Sequence, residues 1–214
     1  MSTLLIRNGT VVTATDEYCA DIFVRDEKVV AIGENLGDTL ADQVDRVIDA
    51  EGCYLLPGGI DAHTHMELPF MGTYASDTFY SGTLAGLHGG TTTIIDFAIQ
   101  TQGDSLENAI KAWHEKADGH AVGDYAFHMA VTDFNENTKA EIPKVINEFG
   151  INSFKTFMAY KGALMVDDGQ MIQLMQELVE HGGILTAHAE NGDMVEQLVK
   201  QFLEEGKTEP RYHV

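Results

Sequence analysis

Two cysteines in 214 residues, Cys19 and Cys53, are too few for a disulfide framework, and the expectation for both thiols is buried apolar packing. Positive charge is also scarce. Thirteen Lys and Arg stand against 34 Asp and Glu, a formal net charge of −21 with a pI near 4.5. Nucleic-acid binders need a basic footprint, so this balance argues against that class and against docking on anionic membrane surfaces. No apolar run is long enough for a membrane span, and Leu4-Leu5-Ile6 is too short for the core of a signal peptide. A cytoplasmic location is therefore expected. Solenoid repeats and low-complexity segments are missing too. What remains is an acidic chain with 44% hydrophobic residues, enough for an ordinary globular core. It suits a small neutral substrate or a metal cation.

Residues 1–52 read as short strands at Leu4-Leu5-Ile6, Thr10-Val11-Val12, Asp21–Val24, Val29–Ile32 and Arg46-Val47-Ile48. Turns are expected at Asn8-Gly9 and Asp26-Glu27-Lys28, with no helical period and nothing catalytic. From Cys53 the pattern changes to strands alternating with helices. Strands are predicted at Gly59–His65, Thr91–Phe97, Tyr125–Val131, Ser153–Met158 and Ile184–His188, and helices at about 77–88, 105–117, 138–149, 168–181 and 191–205. Gly89-Gly90, Gly150 and Gly182-Gly183 sit where helix C-caps belong. Such β/α units imply a parallel sheet, either doubly wound or a (β/α)₈ barrel. A closed barrel needs eight units and typically ~250 residues. Residues 53–214 hold about five, ending in the loop 208–214, so a truncated barrel with open apolar strand edges is expected.

Three segments carry candidate chemistry. In Leu55-Leu56-Pro57-Gly58-Gly59-Ile60-Asp61-Ala62-His63-Thr64-His65, strand alternation would put Asp61, His63 and His65 on one face at the end of a buried strand. Two imidazoles so placed can chelate one metal ion. In Ser153-Phe154-Lys155-Thr156-Phe157-Met158-Ala159-Tyr160 a lysine lies among apolar residues. Burial lowers the pKa of an amine, and a neutral amine adds carbon dioxide to give a carbamate, an anionic ligand able to bridge two metal ions. The competing reading is a lysine that snorkels to the strand end, and the residues alone leave the two even. Gly183-Ile184-Leu185-Thr186-Ala187-His188-Ala189-Glu190 is another strand ending in a histidine. A single such histidine is more often a core residue. Together, however, three strands deliver candidate ligands at their C-terminal ends, where barrels place their active sites.

These motifs, with the opening Leu5-Ile6-Arg7-Asn8-Gly9-Thr10, the stretch Gly89–Phe97 and the spacing of His63, Lys155 and His188, resemble the dihydropyrimidinase/hydantoinase family of cyclic amidohydrolases. The resemblance implies the N-terminal part of a (β/α)₈ TIM barrel (residues 53–214) beside half of a small β-sandwich (residues 1–52), the other half coming from the C-terminal end of a full-length chain. It implies two zinc ions, one held by His63 and His65 and the other by His188, bridged by Lys155 as N6-carboxylysine. Tyr160 would polarise the substrate carbonyl and hold the developing oxyanion, a role suited to a phenol donor, and Lys161 would be a solvated lysine. The implied activity is zinc-dependent ring opening of 5,6-dihydropyrimidines or hydantoins to N-carbamoyl amino acids in a homotetramer. The remaining histidine ligand and the aspartate base would lie beyond Val214, so the 214-residue chain alone is expected to be inactive.

The loop Met66-Glu67-Leu68-Pro69-Phe70-Met71 would arch over the site, with Leu68, Phe70, Phe157 and Leu164 as an apolar wall for the ring substituent or else as plain core. Apolar pockets separate homologous alkyl groups by only ~1–3 kcal/mol, which leaves dihydropyrimidine and hydantoin unresolved. Dihydroorotases carry an arginine two residues after the second histidine. Glu67 stands there and would repel their substrate's carboxylate. An allantoinase-type ureide hydrolase and a non-catalytic dihydropyrimidinase-like scaffold remain as alternatives. Asp61 and Asp96 are candidates to orient the ligands, Asp61 the stronger by parity. His128 on the third strand is a core or supporting residue, while His88, His114, His120 and His181 belong to helices or their ends.

Overall fold

Alternating apolar residues draw the first unit, Met1–Gly58, into one five-stranded sheet. Strand β1 (Thr3–Val12) runs antiparallel to β2 (Glu17–Arg25), and β2 antiparallel to β3 (Lys28–Gly33). Strands β4 (Arg46–Asp49) and β5 (Tyr54–Leu55) both lie parallel to β1. Leu5, Val11, Ala20, Phe23 and Ala50 are buried. The protein is described by a computed structural model covering residues 2–70 and 72–212; Met1, Met71, His213 and Val214 lie outside it.

Three expectations for this unit are corrected. Asn8-Gly9 is no turn: β1 runs through it with a bulge between Ile6 and Gly9. Asn8 sits at φ 63° and its amide donates to Asp21 Oδ1 at 3.0 Å, while a Cβ on Gly9 would come within 2.5 Å of Leu55. A short helix, α1 (Leu36–Leu40), follows β3 and continues into a 3₁₀ turn at Ala41–Gln43; five residues are too few to show a helical period. Cys19 and Cys53 are both exposed, one near the solvated start of β2 and the other in the turn before β5.

The second unit, Gly59–Val214, alternates strand and helix. In order come β6 (Gly59–Thr64), a hairpin of β7 (Pro69–Phe70) and β8 (Thr73–Tyr74), α2 (Phe79–Gly89), β9 (Thr91–Ile99), α3 (Leu106–Ala117), β10 (Asp124–Ala130), α4 (Glu136–Asn147), β11 (Ser153–Phe157), α5 (Asp168–His181), β12 (Ile184–His188) and α6 (Gly192–Glu204). The helices start where side chains accept from free amides: Thr78 and Asp167 in capping boxes, and Ser105, Asn135 and Asn191 as single caps. Gly90 and Gly182 end α2 and α5 in the left-handed conformation, which has no Cβ penalty for glycine. Gly150, also left-handed, falls two residues after the cap of α4 at Glu148.

All five long strands are parallel, in the order β6-β9-β10-β11-β12, so each chain-consecutive strand is the next neighbour across the sheet. That is the winding of a β/α half barrel. Its core lies between the inner strands and α3 to α5, where Ile110, Met129, Ile142, Phe154 and Leu174 are fully buried. Each such side chain contributes about 1.5–3 kcal/mol. The outer strands differ. Every residue of β6 before Thr64 is exposed and β12 is mostly so, which corrects the expectation that the histidines end buried strands. Among the described residues no helix is long and apolar enough to cross a membrane.

Candidate metal and catalytic site

The histidine pair is aimed by a defect in the sheet. Between the pairs Asp61↔Ile94 and Thr64↔Asp96, β6 advances three residues while β9 advances two. Such a bulge strips backbone groups of their ladder partners and turns the strand. Here His63 N–H donates to Asp61 Oδ1 at 3.1 Å, and the Ala62 carbonyl lies 2.9 Å from His128 Nε2. A carbonyl only accepts, so Nε2 carries the proton; Nδ1 of the same ring meets the Ser153 hydroxyl. The His63 and His65 rings stand 5.2 Å apart at 87°, both against Phe97 at 4.7 and 5.1 Å. Simple alternation is therefore not what unites them, and Asp61 turns back to the backbone and does not line the cavity they enter. Burial is the main cause that holds the His65 imidazolium below its ordinary pKa. Asp96 opposes the shift, while His63 and Lys155 add to it.

Lys155 is 7% exposed, with its amine 5.8 Å from the Phe97 ring and 5.4 Å from that of Phe157. Burial pushes its pKa down, and among the described residues it makes no ion pair. Lys161 is the opposite case: its amine pairs with Asp193 and, at 3.3 Å, with Glu196, and its pKa is raised. At the end of β12, His188 Nε2 is buried and makes no hydrogen bond among the described residues, although Glu190 Oε2 lies 3.1 Å away. Tyr160 sits at φ 66°, a costly conformation for an aromatic residue. Its carbonyl holds the turn by accepting from the amides of Ala163 and Leu164 at 3.0 Å and Met165 at 3.3 Å. The Tyr160 ring lies 5.4 Å from His188 and 5.6 Å from Phe70.

One cavity of about 360 Å³ collects all of these groups. His63, His65, Lys155, His188 and Tyr160 line it, as do the apolar candidates Leu68, Phe70, Phe157 and Leu164. Phe97 and Ile99 complete the wall and were missed; they lie two apart on β9, so strand parity points them to one side. Glu67 is not in this wall. It lines a separate hollow with Tyr80, Lys116 and His120, so no repulsion of a substrate carboxylate in the cavity follows from it.

The donors present fit a metal pair. Two imidazoles meet at one corner, a buried imidazole nitrogen has no hydrogen-bond partner, and an amine kept toward its neutral form supplies an anionic ligand once carboxylated. Among the described residues, three unmodified His, Asp or Glu ligand atoms come within 4.8 Å of one another only at Glu177, Glu180 and His181, where Glu177 pairs with Lys139 at 2.8 Å.

Comparison with known proteins agrees with this geometry. The sequence profile of the amidohydrolase family matches residues 54–212. Over 211 residues the chain is 50% identical to a D-hydantoinase of Geobacillus stearothermophilus, and it is 46% identical to a dihydropyrimidinase of Rattus norvegicus. These alignments cover 99% and 98% of this chain but 44% and 41% of the relatives. The crystal structure of dihydropyrimidinase from Brevibacillus agri NCHU1002 superposes with a TM-score of 0.94 at 52% identity, over 99% of this chain and 45% of that one. The chain belongs to the amidohydrolase family and is of the dihydropyrimidinase/D-hydantoinase type. It spans less than half the length of the curated relatives it matches.

Proposed function

We propose that this chain carries much of the metal site of a cyclic amidohydrolase, which opens dihydropyrimidine or hydantoin rings to N-carbamoyl amino acids. The observation that carries the reading is the convergence of His63, His65, Lys155 and His188 on one apolar-walled cavity. The names of the relatives, hydantoinases and dihydropyrimidinases, support the reaction class. His63 and His65 would hold one zinc ion and His188 a second, with Lys155 as N6-carboxylysine between them. When bound, two zinc ions supply Lewis acidity and lower the pKa of water toward ~7.

Residues of this chain supply further parts. The apolar surroundings of Lys155 favour its neutral amine, whose nitrogen bonds to the carbon of carbon dioxide as a proton leaves to solvent. Tyr160 would donate a hydrogen bond from its phenol to the carbonyl under attack, one that strengthens as the oxyanion forms. Leu68, Phe70, Phe157 and Leu164 exclude water and hold the ring substituent. On this reading the first sheet is half of a β-sandwich, the β/α units are part of a (β/α)₈ barrel, and the whole protein is a cytoplasmic homotetramer.

The test is metal content together with turnover of dihydrouracil, hydantoin and allantoin by the protein as its gene encodes it. Two zinc ions per chain and hydrolysis of the first two substrates are expected. Hydrolysis of allantoin alone would move the reading to a ureide hydrolase, and a folded protein without zinc or turnover would leave a scaffold. The 214-residue chain alone is expected to show no turnover.

A further inference from the structure

We propose that Asp96 is the positioning residue of this site, acting through His65, and that Trp113 holds Asp96 in place. Asp96 is 1% exposed and lies on β9 next to Phe97, so its side chain leaves the sheet on the face opposite the cavity. A buried carboxylate is costly unless donors surround it, and this one has four. Oδ2 accepts from the Thr64 hydroxyl at 3.0 Å and from Met66 N–H at 2.7 Å. Oδ1 accepts from Phe97 N–H at 2.7 Å and from Trp113 Nε1 at 3.0 Å. Thr64 and Met66 are the two neighbours of His65.

One carboxylate oxygen therefore grips the residues on both sides of His65, Thr64 by its hydroxyl and Met66 by its amide, at the point where β6 ends and the ladder no longer fixes the chain. The next residue is held from the same side. Glu67, at φ 51°, donates its amide to the Asp77 carbonyl at 2.9 Å, and its own carbonyl accepts from Lys116 Nζ at 3.3 Å. Lys116 in turn lies 4.0 Å from the ring of Trp113. Trp113 thus serves both holds, and helix α3 reaches across the sheet to the strand end that presents His65. A side chain positioned to within about 0.5 Å needs such support behind it.

Both side-chain oxygens of Asp96 matter because all four partners present hydrogens to them. In Asp96→Asn one oxygen becomes an NH₂. Facing Oδ1's partners, it meets two N–H groups that cannot accept. Facing Oδ2's partners, the Thr64 hydroxyl can rotate to accept but Met66 N–H cannot. The amide next to His65 is then the one released.

The affinity arm of the test rests on the metal reading above; the geometric arm does not. Zinc alone is titrated against a competing chelator into the full-length protein, its Asp96→Asn and Trp113→Phe variants, and Ile110→Val, a destabilising change in the buried face of α3 away from the cavity. Zinc affinity is expected to fall ~10–100-fold in Asp96→Asn and by less in Trp113→Phe, with the visible spectrum of the cobalt-substituted protein altered in both. Ile110→Val should leave affinity and spectrum unchanged. Crystals of the metal-free proteins should keep the 5.2 Å ring arrangement of His63 and His65 in the wild type and lose it in Asp96→Asn. If Asp96→Asn does not fold, Trp113→Phe decides by the same readouts. Equal affinity and unmoved rings across the variants would overturn the role of Asp96 while leaving the metal site standing. A wild type that binds no zinc, with His65 displaced only in the variants, would overturn the metal reading and support the positioning role.

Discussion

Lys155 and Tyr160 are the two residues whose local cost most needs a functional account. A buried amine without a counter-charge disfavours its own protonation. Between its lowered folded pKa and the unfolded value near 10.5, the unfolded chain holds a proton that the folded one has given up, so stability rises with pH across that window. Lys155→Met removes the penalty. It is expected to flatten that rise in urea melts followed from neutral to alkaline pH, and to abolish both zinc retention and the mass of one added carbon dioxide. Tyr160 is held at positive φ by three amides on its carbonyl, contacts that do not involve the phenol. Tyr160→Phe should therefore fold normally while kcat falls by ~10²–10³ with KM little changed, the signature of a lost oxyanion donor. A large change in KM alone would make Tyr160 a binding residue instead.

At the scale of elements, the bulge in β6 and the packing of α3 on α4 set the site and its support. His128 reaches from β10 to the Ala62 carbonyl freed by the bulge, and its ring lies 4.7 Å from Phe97. His128→Phe keeps the stacking and removes both ring hydrogen bonds. A loss of about 1–3 kcal/mol is expected in urea unfolding, with weaker zinc retention as the bulge relaxes. Glu107 accepts from Lys111 one turn along α3 at 2.7 Å and from Lys144 of α4 at 2.6 Å, and these bonds hold its pKa at about 2 instead of 4.5. A depressed carboxylate stabilises fully above the unfolded value and loses that contribution as pH falls from 4.5 toward 2. Acid unfolding of Glu107→Gln should show a shallower slope in that window. The difference should shrink in high salt, because the groups are solvated. In the β/α unit the five long strands and five helices were legible from period and punctuation, and their observed ends fall within about two residues of the expected ones. In the first unit, by contrast, two expected strands merge into β1 and β2 starts four residues early. The bulge in β6 was not legible, because Asp61-Ala62-His63-Thr64-His65 alternates as a regular strand does. The extra residue exists only relative to β9.

For the whole molecule, the inner strands are packed and the outer ones are not. Ile60 and Ile184 on the two edge strands are 68% and 61% exposed, and Met194, Leu198, Val199 and Leu203 of α6 are exposed as well. Open parallel edges and an uncovered apolar helix invite association. The 214-residue chain produced by itself is expected to self-associate and to bind a hydrophobic dye, as checked by light scattering and fluorescence. A monodisperse, dye-silent monomer would show that these faces are tolerated in water.

The sequence by itself determined the β/α order, the candidate donor residues and the family, because those depend on local period, turn chemistry and the identity of residues at three strand ends. Tertiary structure decided how those donor residues are held. Asp61 has the parity of His63 and His65, yet it serves the backbone, while Asp96, on a different strand, clamps the chain on both sides of His65. His128, without any local signal, supplies the bond that the bulge requires. The reason is physical: a hydrogen bond between residues 30 or 66 apart in the chain leaves no periodic mark, since only the packing of the sheet brings its partners together.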